Sequence, residues 1–343
     1  MDFYFDFICK FANFVVPLRR ICIRFVFVVE YAEYIVAGHR FAVESIQPNL
    51  LCGMTNYEPF KVACIPMKHD SGNVIFTLQI GHTGLLSEIE RSAYHLLFTD
   101  NTEQDMPRIE VYKLESCSAS SQDKWLIRVA LLAQSPICCE IVCDATFTNG
   151  KLYIVEDCRD IRFCIDNALM LMYAFRTASL MTLEMHAAVV VKKKTSGGDL
   201  GYLFLGHSGT GKSTHARQWL AAFDDAWLLN DDNPIIRVMD DGQVMVFGSP
   251  WSGKTPCYIN FAVRIGGIVK LSQAPHNKIR SLSLPEAYAY MLSSASGLKM
   301  NSEMADYMYQ SIKHIITSIK MYHLECLPNE DAAHICFDGI NIG

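Results

Sequence analysis

The chain carries 13 cysteines in 343 residues, yet no two of them form a Cys-x-x-Cys pair. That absence removes the spacing on which zinc ribbons and dithiol redox motifs depend. Cys138, Cys139 and Cys143 lie in one apolar stretch, where a free cysteine behaves as a small hydrophobe. A chain of this length also buries a core without covalent staples. The expectation is buried, reduced thiols in a reducing, cytoplasmic compartment. Positive charge is scarce as well: 30 Lys and Arg stand against 36 Asp and Glu, for a net charge of −6. No basic stripe gathers those cations, which argues against a nucleic-acid partner.

Long uncharged apolar runs are also missing. Residues 1–31 are rich in Phe, Val and Ile, but Asp2, Asp6, Lys10, Arg19, Arg20 and Arg24 interrupt them, and Pro17 sits in the middle. No stretch there reaches the roughly 18 residues of a spanning helix. A basic start followed by a small-residue cleavage site is lacking too. No membrane span is expected. Residues 1–32 are read as a hydrophobic extension: a docking segment, or a product of an upstream start codon. Internal repeats and low-complexity tracts are absent.

What is there is ordinary globular material, 50% apolar and 19% charged. The length suggests two domains. Residues 33–165 read as a mostly β domain. Strand-like runs at 34–43, 74–80, 109–114, 125–132 and 137–142 are separated by turn formers at 48–49, 70–72, 116–122 and 149–150. A helix is expected over 85–97. His39, His69, His82 and His95 are scattered singly without ligand spacing, and are read as structural or solvated.

Residues 166–343 alternate helix and strand signals. The pattern predicts a helix over 166–183, a strand over 183–191, a polar lysine-bearing hairpin over 192–199, and a strand over 201–205. Downstream come a helix from 213 to 222, a strand from 226 to 229, and a hairpin across Asp240, Asp241 and Gly242. A strand at 265–271, helices at 285–294 and 302–319, a strand at 321–327 and a last helix capped by Asn329 complete the pattern.

The strand at 201–205 runs straight into Gly206, His207, Ser208, Gly209, Thr210, Gly211, Lys212 and Ser213. This run matches the Walker A pattern in full, with the required strand before it and helix after it. The chemistry explains the spacing. The glycines let the backbone curl until its N–H groups point inward at phosphate oxygens. The helix that follows adds its positive end. Lys212 supplies a full charge at the outer phosphates, and Ser213 offers a hydroxyl to Mg²⁺, a cation that shares its shell between phosphates, waters and few protein oxygens. The cofactors expected are therefore ATP and Mg²⁺.

Such a loop still needs a carboxylate. Asp231 and Asp232 follow nineteen residues past Lys212, at the end of the 226–229 strand. A parallel neighbour of the loop strand would bring its carboxyl end beside the phosphates. Adjacent residues on a strand face opposite ways, so only one acid reaches the metal directly. His186 lies on the strand before the hairpin, where a core role competes with a ligand role. A second glycine- and serine-rich loop at 248–255 offers Lys254 as a charge for the transferred phosphoryl or the acceptor's acid group. Arg217 and Arg237 are further cations within the same half.

Met185 and His186 on a strand, a short hairpin, the glycine loop through Ser213, then Asp231 and Asp232: this order resembles the HPr kinase/phosphorylase family. It is also similar to ATP-dependent phosphoenolpyruvate carboxykinase, whose loop reads as 208–212 does here. The likeness is greatest to HPr-kinase-related serine kinases, through Thr214 to Arg217, Asn230 to Pro234 and the 248–254 loop, and it spans 183–338. Thr214 stands where HPr kinases carry glutamate. The resemblance implies an α/β mixed-sheet P-loop kinase domain behind a mostly β N-terminal domain. It implies ATP on Gly206, Ser208, Gly209, Thr210, Gly211, Lys212, Ser213 and Thr214. It implies metal on Ser213, Asp231 and His186, and Asp232 as the base toward an acceptor hydroxyl. That acceptor is expected to be serine of a protein, a peptide or the free amino acid. A nucleotide-gated switch and a small-molecule phosphotransferase are the competing readings, and a homo-oligomer is left open.

Overall fold

A computed structural model describes residues 28–63, 74–100, 107–114, 123–193, 198–253 and 255–342. Most of the N-terminal extension, His69, the turns expected at 70–72 and 116–122, part of the lysine hairpin, and Lys254 lie outside the described residues.

The fold is mixed α/β, with two mixed sheets and a β-rich N-terminal region. The first sheet holds β1 (Glu30–Val36), β2 (His39–Ser45), β3 (Val74–Thr83), β4 (Tyr94–Asp100), β5 (Arg108–Leu114), β6 (Asp123–Ala130), β7 (Ile137–Asp144) and β8 (Asn149–Ile154). Its spatial order is β1-β2-β3-β8-β7-β6-β5-β4. The expected strand at 34–43 is in fact a hairpin. Ala37 and Gly38 both adopt positive φ, 49° and 79°, the pairing a two-residue turn needs to match strand twist. The helix expected at 85–97 is one turn, α1 (Glu88–Arg91), closed by a Ser87–Glu90 capping box. The rest becomes β4, because the aromatic run from Tyr94 pairs with β5. Pairing across a sheet overrides a local helical pattern here. β8 begins on Asn149 and Gly150, read from sequence as a turn, and joins β3 in parallel to β7 in antiparallel sense.

α2 (Ile161–Thr177) starts ahead of the expected 166, where the Asp160 side chain accepts from the Phe163 amide. This N-cap satisfies one of the helix's orphan donors. α2 packs on β3, β7 and β8, and also on β9 (Thr182–Glu184) of the second sheet. One core cluster accordingly runs from Tyr34 and Phe76 through Leu169 and Tyr173 to Val189 and Trp251.

The second sheet continues with β10 (Ala187–Lys192), β11 (Leu200–Leu205), β12 (Ala226–Asn230), β13 (Ile235–Val238), β14 (Val244–Phe247), β15 (Ala262–Gln273), β16 (Lys278–Ser281) and β17 (Met321–Cys326). The order is β12-β10-β11-β15-β14-β13-β9. β15 is long enough to pair with β14 near its start and with β17 near its end. The single strand expected at 183–191 is broken at Met185 and His186, whose amides donate to Pro234 and Ser294 carbonyls instead of to the ladder. β9 and β10 therefore sit far apart in the sheet. α3 (Lys212–Ala222) and α6 (Glu330–Ile342) cover a second cluster built on Phe204, Trp219 and Leu324. α4 (Leu284–Ser294) and α5 (Ser302–Ser318) cover the other face. Among the described residues, no helix is long and apolar enough to cross a membrane.

Candidate functional site

The glycine loop lies between the end of β11 and the start of α3. Gly209 and Gly211 adopt positive φ, 76° and 104°, a region that costs a side-chain-bearing residue energy. A Cβ on Gly206 would stand 2.9 Å from the side chain of Thr210. Gly211 is the N-cap of α3, and no side chain caps the helix. The first amides of α3 thus lack side-chain acceptors, which suits an anion at that end.

Three groups converge beside the loop. The Lys212 ammonium donates to the Gly206 carbonyl at 2.9 Å and stands 2.9 Å from His186 Nε2. The same Nε2 lies 3.3 Å from Asp232 Oδ1. The break in the strand at 185–186 is what turns the imidazole toward the loop, since the Ser294 carbonyl holds the His186 amide.

Asp232 arrives by a route the sequence did not indicate. β12 runs in the same sense as β11, but β10 lies between them and pairs antiparallel with both. The expected direct neighbour is therefore one strand removed, yet its carboxyl end reaches the same edge. Asn230, fully buried, accepts from the amides of Asp232 and Asn233 at 2.9 and 2.8 Å. Its amide group donates to Ser249 Oγ and the Trp251 carbonyl. This ties the acidic turn to the 248–253 loop. Asp231 is buried and accepts from the Thr255 amide at 3.2 Å. Asp232 is the carboxylate that faces His186.

Ser213 is half-buried at the start of α3, and Ser208 and Gly209 are exposed. The His186 imidazole and the Asp232 carboxylate offer a nitrogen and an oxygen donor beside the loop, and the Ser213 hydroxyl sits in the first turn of the helix that follows it. Arg217 is exposed and bonds Thr214 Oγ1. Arg237 lies away from this cluster and donates to the Ala37 carbonyl in the β1–β2 turn.

Two cavities flank the loop. One, of about 560 Å³, lies along Gly209, Thr210, Thr214, Gln273, Leu327 and Pro328. The other, of about 380 Å³, is bounded by His186, Gly206, Lys270, Ser293 and Asn167, with Ile109 from the first sheet closing it. Lys270 is nearly buried, and its Nζ donates to the Leu271 carbonyl. Burial pulls its pKa below the ordinary lysine value.

Sequence reasoning overlooked Lys270 and Glu184. Glu184 is fully buried on β9, and its Oε2 has no hydrogen-bond partner among the described residues. Burial first, and the charge of Asp232 second, push its carboxyl well above the usual range. An acid two residues before His186 is the only trace of it in the sequence.

No family model matches the chain, and no curated protein matches it.

Proposed function

We propose that the chain is an ATP- and Mg²⁺-dependent kinase related to the HPr kinase/phosphorylase type, moving a phosphoryl group to a serine-type hydroxyl. The observation that carries this reading is the meeting of Lys212, His186 and Asp232 at the mouth of an uncapped, glycine-led helix. ATP phosphates lie on the amides of 206–213, and the nucleoside follows the larger cavity past Thr214. The acceptor enters the smaller one. Ser213 and His186 would hold Mg²⁺, which neutralises charge on the outer phosphates. Lys212 leaves the Gly206 carbonyl for a phosphate oxygen. Asp232 takes the acceptor's proton, and Lys270 holds an acid group of the acceptor or the transferred phosphoryl. Positioning and charge neutralisation supply most of the rate in such transfers.

A nucleotide-gated switch is the second reading. It draws on the contacts between the 248–253 loop and the first half: Trp251 Nε1 donates to Tyr57 Oη at 2.9 Å, and Asn56 donates to the Pro250 carbonyl.

The test is γ-labelled ATP with Mg²⁺ and fractionated cell extract, run beside Lys212→Ala and Asp232→Asn. Label is expected on a small molecule, peptide or protein with the wild type only. Asp232→Asn is expected to keep nucleotide binding and lose transfer, by about 10²-fold or more for removal of a general base. Near-normal transfer by Asp232→Asn removes Asp232 from the role of base. Nucleotide binding with no transfer to any fraction favours the switch.

A further inference from the structure

Apart from the glycine loop, three cysteines scattered in sequence come together, with a fourth, Cys158, beside one of them. The Sγ atoms of Cys138, Cys139 and Cys164 all lie within 4.8 Å of one another. Cys158 Sγ stands 3.6 Å from Cys164 Sγ. Cys139 and Cys164 are fully buried, while Cys138 and Cys158 are partly so. Three separate pieces of chain supply them: β7, the turn before α2, and the first turns of α2.

Neighbours on a strand normally face opposite sides, so Cys138 and Cys139 need a device to share a site. The device is a β-bulge. Val129 pairs with Cys139 and Ala130 pairs with Ile137, which leaves Cys138 as the extra residue on β7. Bulges re-aim side chains in this way. The turn that carries Cys158 is laid back on the same strand, since the Val155 amide donates to the Cys138 carbonyl and the Cys158 amide to the Val155 carbonyl. Cys164 sits near the N-terminus of α2, where the helix dipole favours a thiolate.

We propose that Cys138, Cys139, Cys158 and Cys164 form a structural zinc site that fastens β7 to α2. Tetrahedral zinc–thiolate geometry, with bonds of about 2.3 Å, sets the sulfurs about 3.8 Å apart. The Cys158–Cys164 separation of 3.6 Å is already close to that. Soft thiolates select zinc over the hard cation of the glycine loop. Each ligand thiol gives its proton to solvent as the metal binds, no electrons move, and four thiolates around Zn²⁺ leave a net charge of −2. The site stands independently of any kinase activity.

The experiment uses the full chain, purified under reducing conditions with zinc supplied. Bound metal is measured by mass spectrometry, and the zinc is exchanged for cobalt to read sulfur-to-cobalt charge-transfer absorbance. The wild type is expected to hold about one equivalent of zinc and to show the intense band of a thiolate-rich tetrahedral site. Cys164→Ser is expected to lose the metal, and Cys52→Ser, at an exposed thiol outside the cluster, to keep it. Wild-type protein without zinc and without the cobalt band overturns the proposal, even if Cys164→Ser fails to fold. So does equal metal loss in both variants, or a Cys158–Cys164 disulfide found by non-reducing peptide mapping.

Discussion

Glu184 is the residue whose chemistry departs furthest from its sequence context. Among the described residues its Oε2 has no hydrogen-bond partner, and its Oε1 has the Ser296 hydroxyl at 3.4 Å. An ionised carboxylate in that position costs several kcal/mol, so the group protonates instead. Desolvation, aided by the charge of Asp232, raises its pKa well above the ordinary glutamate value. The native state then holds one more proton than the unfolded chain from about pH 4.3 up to the raised native value. Stability falls as pH climbs through that window, by up to about 1.4 kcal/mol per unit. Glu184→Gln keeps the shape and removes the slope. Its melting temperature relative to wild type is expected to rise as pH climbs above the ordinary glutamate pKa of about 4.3; a difference independent of pH refutes the buried proton. The glycine loop was legible because its demands are local: Gly209 and Gly211 must reach positive φ, and the sequence states that directly. Glu184 and the four clustered thiols were not, because their environment is assembled from distant segments. Cys138 and Cys139 share a side only through a bulge, and no spacing rule encodes a bulge.

Elements show the same division. α3 was readable as an element, but what it buries was not: His215 and Trp219 pack against Phe204, with Ala216 buried beside them. The order of strands around it was not, since β12 reaches the site edge across β10, and sequence spacing does not specify which strand intervenes. The docking of α3 makes its own prediction. Trp219 Nε1 donates to His215 Nε2 at 3.1 Å, so that nitrogen must be unprotonated. Burial depresses the His215 pKa to about 4, against about 6.5 unfolded. As pH falls between those values, the unfolded chain takes up a proton the native imidazole refuses, and α3 loses stability. Acid unfolding monitored near Trp219 is expected to steepen below about pH 6.5. His215→Phe, which fills the slot without titrating, is expected to flatten that part of the profile. An unchanged profile assigns the acid sensitivity elsewhere.

The whole molecule is held by contacts that cross between its halves. Trp251 is the central one: its indole donates to Tyr57 of the first half, while its ring lies 5.2 Å from that of Tyr173 in its own half. Around it, Tyr173 donates to the Val36 carbonyl, His39 meets Thr182 Oγ1 at 2.8 Å, and Arg237 reaches the Ala37 carbonyl. One core cluster includes residues of both sheets. The halves expected at 33–165 and 166–343 should therefore unfold together, although a chain of this size is long enough to unfold in stages. Tyr57→Phe leaves the buried indole N–H without its partner and is expected to cost about 1–3 kcal/mol. Trp251→Ala opens a cavity between the halves, at about 3–5 kcal/mol. That is a large share of the roughly 5–15 kcal/mol that holds a protein folded. In wild type, denaturation followed by far-ultraviolet dichroism and by tryptophan fluorescence is expected to give coincident transitions. Trp251→Ala is expected to separate them, because the 248–253 loop that orders Asn230 and the acidic turn loses its anchor on the first half. Two distinct transitions already present in the wild type contradict a shared core and make the first sheet an independent unit.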